Sequence, residues 1–406
     1  MSSPATTDGG DDIMLGTTCA NAQECWAVGV DAPPAGSTPI VQEWNGSSWS
    51  FVASAAISNG GLLGVTCVSS SDCWAVGGEK FAAGSPTPMV EQWNGSSWTA
   101  MTTPDEPGAT GALLHSVSCV SSTDCWAVGQ TQDDTDTASG ALIIHWDGTS
   151  WSLSTPAVTG QTYDQLNSVD CVTATDCWAV GYAGPNQQND NFLPIFPGAS
   201  GDQGLIEHYD GSAWSVVPSA IEPPPNGAYL SAITCVSETD CWATGSTTGA
   251  GGGSPTGTIA QFWNGSTWSV VPTPTSPAPA ALASAIMMAV TCLSPDQCWA
   301  TVAGSLDTNN FDPSPAIEAW NGSTWSVEPS PNNVIGFLDG VSCVRGDACW
   351  SIGSSIIASG GGQFVPLVEQ MVLPPDGTQG FVAASSDGGV YSFGAFPFLG
   401  SMGGTH

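Results

Sequence analysis

Apolar and polar residues alternate along this chain in short runs, and Gly, Pro, Asn, Asp and Ser break those runs at close intervals, the pattern of strands joined by tight turns. One stretch shows the reading in full. Residues 63–68 predict a short strand, 69–72 a turn, and Cys73-Trp74-Ala75-Val76-Gly77 a second strand whose cysteine faces Cys67 across the hairpin. A loop of Gly, Ser and Pro runs to Pro88 and residues 89–93 predict a third strand. Asn94-Gly95 supplies the left-handed backbone angles of a tight turn, and a fourth strand starts at Trp98. Trp93 and Trp98 fall on the same face of that last hairpin, so their rings can stack.

The same unit recurs seven times, each with two cysteines flanking five residues and a tryptophan straight after the second. The sets are Cys19/Cys25-Trp26, Cys67/Cys73-Trp74, Cys119/Cys125-Trp126, Cys171/Cys177-Trp178, Cys235/Cys241-Trp242, Cys292/Cys298-Trp299 and Cys343/Cys349-Trp350. Successive first cysteines lie 48, 52, 52, 64, 57 and 51 residues apart, a period at which one supersecondary block needs neighbours to bury its apolar face. The predicted class is all-β: a seven-bladed β-propeller of four-stranded antiparallel blades, with one disulfide across the first hairpin of each blade. In the last unit Met371 stands where Trp is expected, so its fourth strand has to come from 380–384 or 390–393. An eight-bladed ring, with the tail starting the last blade, is the alternative. The expected boundaries are a disordered segment over 1–12, the propeller over 13–373, and a hairpin segment over 374–406 that completes the last blade or starts a truncated surface repeat. Short uniform turns share one face of such a ring, and the longer variable loops share the other, where binding is expected.

Composition narrows the setting. All 14 cysteines belong to the seven pairs, an even count at fixed spacing that reads as a disulfide framework and so as an oxidising compartment. Zinc fits poorly, because structural pairs usually hold two to four residues between cysteines and no histidine lies near. Residues 1–20 show no basic start followed by an apolar run, and nowhere do eighteen apolar residues follow one another. The expectation is a protein at the cell surface or outside the cell, without membrane insertion, whose export is encoded outside this sequence and whose two ends are incomplete here. Thirty-six acidic residues face only Lys80 and Arg345, for a net charge of -34. Such a surface repels nucleic acid and anionic lipid, which are bound by neutralising phosphates with Lys and Arg. A neutral glycan or a protein remains as the expected partner of a monomeric propeller.

The unit of CWAVG, loop, apolar strand ending in Trp and then Asn-Gly-Ser-x-Trp resembles repeats of actinobacterial secreted or surface proteins. More distantly it is similar to the Asp-box repeats of bacterial neuraminidases, in which a GWAVG-like strand precedes a DGG-x-x-W turn. The resemblance covers about residues 13 to 373. It implies a propeller, and it implies a range of functions, since Asp-box propellers include sialidases, other glycosidases, assembly factors and lectin-like binders. A sialidase would require three arginines gripping the substrate carboxylate, and this chain has only Arg345. The segment from Gly380 to Gly394, with Asp387-Gly388-Gly389-Val390-Tyr391-Ser392-Phe393-Gly394, resembles one copy of a DGG-x-YSFG repeat of actinobacterial surface proteins, which implies further copies beyond it.

Candidate chemistry is sparse. Phosphoryl transfer lacks cations and a phosphate-cradling glycine loop followed by Lys. A glycosidase needs two carboxylates about 5 to 10 Å apart, and the fourth unit gathers the candidates Asp170, Asp190, Asp202 and Glu207. Asp133, Asp134 and Asp136 crowd one loop and Asp307, Asn309 and Asp312 another, spacing that suits calcium but lacks the terminal Glu of an EF-type loop. No other cofactor is expected. Asn45, Asn94, Asn264 and Asn321 match the glycosylation sequon, yet Asp147 and Asp210 fill the same position elsewhere, so turn chemistry explains them better. Glu24, Asp72, Asp124, Asp176 and Asp240 read as turn caps, and Glu91, Glu207, Glu318 and Glu369, with Gln42 and Gln261, as structural hydrogen-bonding positions. Every Trp and Cys is consumed by the repeat, which favours a non-enzymatic binding module over the alternative, a polysaccharide-active glycoside hydrolase using paired carboxylates.

Overall fold

The computed structural model describes all residues except 1–2, 7–8, 33–35, 56–58, 80–85, 133–138, 186–201, 221–226, 249–254, 275–283, 306–312, 329–334, 345–347, 358–362, 372–379, 385–389 and 395–406. Seven antiparallel sheets follow one another along the chain, over 11–51, 60–101, 111–154, 163–216, 227–271, 284–328 and 336–394. Six have four strands in sequence order and the last has five. The first strands of successive blades lie side by side around the axis, and that of blade seven (Gly336–Val344) lies beside that of blade one (Asp11–Asn21), so the ring is seven-bladed and closed. Gly380–Ala384 pairs with the third strand of blade seven and Val390–Gly394 pairs with Gly380–Ala384, so both tail segments join that sheet. At the opposite end of the chain Ser3 is buried and donates to Gln42 Oε1, while Gln42 Nε2 donates to Pro4 O at 2.9 Å.

All seven predicted disulfides are present: Cys19–Cys25, Cys67–Cys73, Cys119–Cys125, Cys171–Cys177, Cys235–Cys241, Cys292–Cys298 and Cys343–Cys349. Each joins directly paired residues of the first two strands, with Cα atoms 3.9–4.0 Å apart. The two halves of a bridge differ in setting, which the spacing alone does not reveal. Cys25, Cys73, Cys125, Cys177, Cys241, Cys298 and Cys349 are fully buried, because the second strand carries them into the apolar layer between blades. Cys125 packs with Trp74 of the preceding blade, Cys177 with Trp126 and Cys298 with Trp242. These cysteines are therefore core residues as well as cross-links, and they form no accessible site. Their partners Cys119, Cys171 and Cys292 are partly buried at the edge of the same clusters.

The Asn-Gly and Asp-Gly turns are built alike. Asn94 Oδ1 accepts from Ser96 N at 3.0 Å, Ser96 Oγ at 2.7 Å and Ser97 N at 3.1 Å, and Asp147 Oδ1 accepts from the matching atoms of Thr149 and Ser150. Gly95 follows at φ 88°, a conformation that L side chains rarely adopt. Three of the acids before the second cysteine reach across to the third strand. Asp124 and Asp176 accept from His145 Nε2 (2.9 Å) and His208 Nε2 (2.7 Å), and Asp72 accepts from Gln92 Nε2 (3.1 Å), tying the first hairpin to the third strand.

The tryptophans join blades. Trp93 and Trp98 of blade two lie 5.8 Å apart, and Trp26 of blade one packs on both, at 4.7 and 5.2 Å. The arrangement repeats with Trp74 on Trp146 and Trp151, Trp126 on Tyr209 and Trp214, Trp178 on Trp263 and Trp268, and Trp242 on Trp320 and Trp325. Trp350 of blade seven completes the ring on Trp44 and Trp49. Among the described residues Trp299 has no equivalent pair, since Met371 takes the register position opposite Cys349, and it packs with Ile317, Leu338, Val341 and Leu367.

Each inner strand carries a register shift four residues before its first cysteine, where a residue is squeezed out of register. Beside it the second strand passes so close that a Cβ on Gly129 or Gly181 would lie 1.9 Å from a first-strand carbonyl oxygen, which accounts for the glycine that ends CWAVG. In blade six Val302 occupies that position.

Candidate functional site

The squeezed-out residues are Leu15, Leu63, His115, Asn167, Ser231, Met288 and Asp339, one from each blade, and together they line a cavity of about 90 Å³ on the axis. Three of them latch their blade to the next. His115 Nδ1 donates to Leu166 O at 2.9 Å, Asn167 Nδ2 to Leu230 O at 2.8 Å, and Ser231 Oγ to Met287 O. Burial holds the His115 imidazole down at about 4, so it is neutral at physiological pH. Asp339 is pushed up to about 7 by burial alone. Sequence reasoning missed this ring because its members alternate between apolar and polar types; registering the repeats on their first cysteine and reading the position four residues upstream would have found it.

A second latch lies lower on the same strands. Cys171 N donates to Ser118 Oγ at 3.1 Å, Cys19 N to Ser342 Oγ at 3.1 Å, and Cys235 N to Asp170 Oδ2 at 2.7 Å, with Ser118 Oγ on Asp170 Oδ1 at 3.3 Å. Asp170 thus holds blades three, four and five together, and burial raises its carboxyl above the ordinary range. Glu207 sits in the third strand of blade four, accepts from Ala157 N at 2.9 Å, and is raised to about 7, first by burial and then by the Asp164 carboxylate. Asp202 is buried, and its carbonyl accepts from Ala228 N at 3.1 Å. The hydrogen bonds of Asp170 and of Glu207 run to different neighbours and do not bring the two into one group. Asp190 and the calcium candidates Asp133, Asp134, Asp136, Asp307, Asn309 and Asp312 lie outside the described residues, as do Lys80 and Arg345. Among the described residues no three His, Cys, Asp or Glu side chains gather as a metal site would require.

The third-strand Glu and Gln residues anchor the link arriving from the preceding blade. Glu91 accepts from Ser54 Oγ at 2.6 Å and Ala55 N at 3.2 Å, and Gln261 accepts from Ala220 N at 2.7 Å. Glu318 is buried with neither carboxylate oxygen bonded to a described residue, and burial raises it to about 8. A folded-state value above the ordinary 4.5 means that the native protein holds this proton more tightly than the unfolded chain. The stability it contributes is therefore greatest below about pH 4.5 and is lost as pH rises through about 8. Glu207 acts in the same direction, with its loss complete near pH 7. The expected result is a melting temperature that falls between pH 5 and pH 8. Glu318→Gln should flatten that fall and stabilise the protein at pH 8 by roughly 2–5 kcal/mol, at about 1.4 kcal/mol per unit. Equal effects of the substitution at pH 5 and pH 8 would refute it.

Blade three breaks this rule. Ile144 occupies the position of Glu91 and Glu207 and offers the arriving link no acceptor; in that link Thr103 Oγ1 donates to Pro88 O at 3.2 Å, as Thr273 Oγ1 does to Thr258 O at 3.3 Å. A cleft of about 340 Å³ opens there between blades two and three. Its floor is Leu142 and Ile144, its walls include Pro86, Pro88 and Pro104, and Asp105 and Glu106 stand on its rim. It lies at the end of the blades where strands two and three are joined and the links arrive, the loop-bearing face.

No family model and no curated protein matches the sequence. Solved structures do match the fold, and they are β-propellers. YCF48 from Cyanidioschyzon merolae superposes with a TM-score of 0.52 at 13% identity, over 90% of this chain and 98% of that one. YCF48 bound to a D1 peptide gives 0.51 at 11%, over 90% and 94%. An ulvan lyase of polysaccharide lyase family PL25, bound to -[GlcA(1-4)Rha3S]-, gives 0.56 at 8%, over 90% and 95%. Identities this low establish the propeller architecture alone.

Proposed function

We propose that the protein is a non-enzymatic, extracellular binding module that takes a positively charged segment of another protein in the cleft between blades two and three. The observation that carries this reading is the replacement of the link-anchoring carboxylate by Ile144, which gives the loop-bearing face an aliphatic floor under an acidic rim. Leu142 and Ile144 suit an apolar anchor side chain. Asp105, Glu106 and a net charge of -34 favour Lys and Arg around it. Among the described residues that line the cleft there is no aromatic ring on which a sugar could stack, which favours a protein segment over a neutral glycan. Asp170 has both carboxylate oxygens committed to joining blades, and Glu207 holds the link into blade four through one oxygen, which supports a binder rather than a hydrolase.

The test is a peptide array of Lys- and Arg-flanked apolar segments read beside a glycan array and a reducing-sugar assay, all on the oxidised chain. Ile144→Glu restores the carboxylate of the other blades, refills the cleft and should weaken peptide capture at least about tenfold. Retention confined to glycans, turnover of any polysaccharide, or capture untouched by the substitution would each overturn the proposal.

A further inference from the structure

We propose that the axial cavity is a second binding site, for a short-chain primary ammonium group, with the cation on the Asp339 carboxylate and the hydrocarbon against Leu15, Leu63 and Met288. Met288, Asp339, Leu15 and Leu63 come from four consecutive blades, so the carboxylate stands between aliphatic neighbours on one side of the cavity. His115, Asn167 and Ser231, also consecutive, form the other side.

An inventory of donors and acceptors then selects the ligand. Asn167 and Ser231 spend a donor on the next blade's carbonyl, and Asn167 Oδ1 accepts from Gln165 Nε2 at 2.6 Å. His115 donates through Nδ1 to a carbonyl oxygen, which can only accept; its Nε2 is left as an acceptor. Asp339 makes no hydrogen bond or ion pair with any described residue. Among the described residues that line it, the cavity therefore offers acceptors in excess of donors, with at most one N–H of Asn167 to match them, and no positive charge. A carboxylate left this way in an apolar wall holds its proton to a higher pH than usual, up to about 7. Burial is the sole cause: the carboxylates on strands packed against its own, Asp11 and Asp12 in blade one, Glu318 in blade six and Glu369 in blade seven, do not act on it, nor does His115 across the axis. An ammonium group supplies three donors and the missing charge. A hard divalent cation would want six or more oxygens and would find one carboxylate among aliphatic side chains. A volume of about 90 Å³ holds several waters, or a ligand of roughly four or five heavy atoms.

The test uses n-propylammonium as probe, with tetramethylammonium as an oversized cation that has no N–H and n-propanol as the neutral analogue. Titration calorimetry on the oxidised wild-type chain at pH 8 should show binding of n-propylammonium alone. Affinity should fall by up to about tenfold per unit as pH drops below 7, because the ligand then competes with the Asp339 proton while the amine, with a value near that of Lys, stays charged. Asp339→Asn, which copies the shape of the protonated acid and so should fold, is expected to abolish binding. Leu63→Ala should weaken it while leaving the pH dependence intact. A Lys-containing tetrapeptide separates a free amine from a partner's side chain as the natural source: its binding with the same dependence on Asp339 assigns the site to a protein partner, and its exclusion assigns it to a small amine. Equal binding of n-propanol, binding that survives Asp339→Asn, or a cavity that takes up water only would overturn the proposal.

Discussion

Trp350→Ala should be among the most damaging single substitutions in the chain, lowering stability by about 3–5 kcal/mol for the lost burial and the cavity left behind. Trp350 is 1% exposed and packs on Trp44 at 4.7 Å and on Trp49, edge to face, at 5.4 Å. Those two aromatic contacts are worth about 0.5–1.5 kcal/mol each beyond the area they cover. Trp299 is the internal control. It is buried to the same degree, 2% exposed, but packs with aliphatic side chains, so Trp299→Ala should cost about 1–3 kcal/mol less. Position in the ring adds to the difference. Blades one and seven share no strand, and a few hydrogen bonds accompany the tryptophans where they meet, including Met14 N on Ser354 Oγ at 3.1 Å and Phe364 N on Asp11 Oδ1 at 2.8 Å. Every other interface also has a continuous chain across it. Trp350→Ala should therefore reduce the denaturant slope as well as the midpoint, since a ring opened at its seam no longer unfolds as one unit. Urea unfolding of the two variants side by side decides the matter, and equal losses with equal slopes would refute it.

Much of this fold can be read in the chain because its repeat is dense with residues that do one structural job. The cysteine pairs, the Asn-Gly and Asp-Gly turns and the strand periods are local features, set by neighbours within a few positions, and each stands where the spacing puts it. What joins the blades is not local. Trp93 and Trp98 are legible as a stacked pair, but nothing near them in the sequence announces that Trp26, some seventy positions earlier, completes the cluster. Asp170 stands out in the sequence as an acid where other units have Ser or Thr, and that exception invites a catalytic reading. In the structure it does what Ser118 and Ser342 do, accepting a cysteine N–H from the following blade. The axial ring and the cleft at Ile144 are exceptions of the opposite kind, conspicuous only once the blades are in register. An aliphatic residue in a strand raises no question until its six counterparts prove to be Glu or Gln.

Full reduction should leave no stable native state, or should lower the melting temperature by more than about 15 °C. Each bridge closes a loop with a sequence separation of 6, which in the loop-closure model removes roughly 2–2.5 kcal/mol of unfolded-state entropy. Seven such contributions approach or exceed the net stability of about 5–15 kcal/mol that folded domains possess. The second cysteine of every pair is fully buried, so reductant added to the native protein should act slowly, and the experiment calls for reduction in denaturant followed by refolding with the thiols kept reduced. A reduced chain that refolds with its melting temperature within about 3 °C of the oxidised one would defeat the argument, and with it the inference that the protein works in an oxidising compartment. The mechanism is separable from the magnitude. Loop entropy depends on loop length, and all seven loops are the same length, so replacing both cysteines by Ala at Cys19–Cys25 or at Cys235–Cys241 should cost the same. A spread of more than about 1 kcal/mol between such variants would move the effect from the unfolded chain into the packing around each sulfur pair.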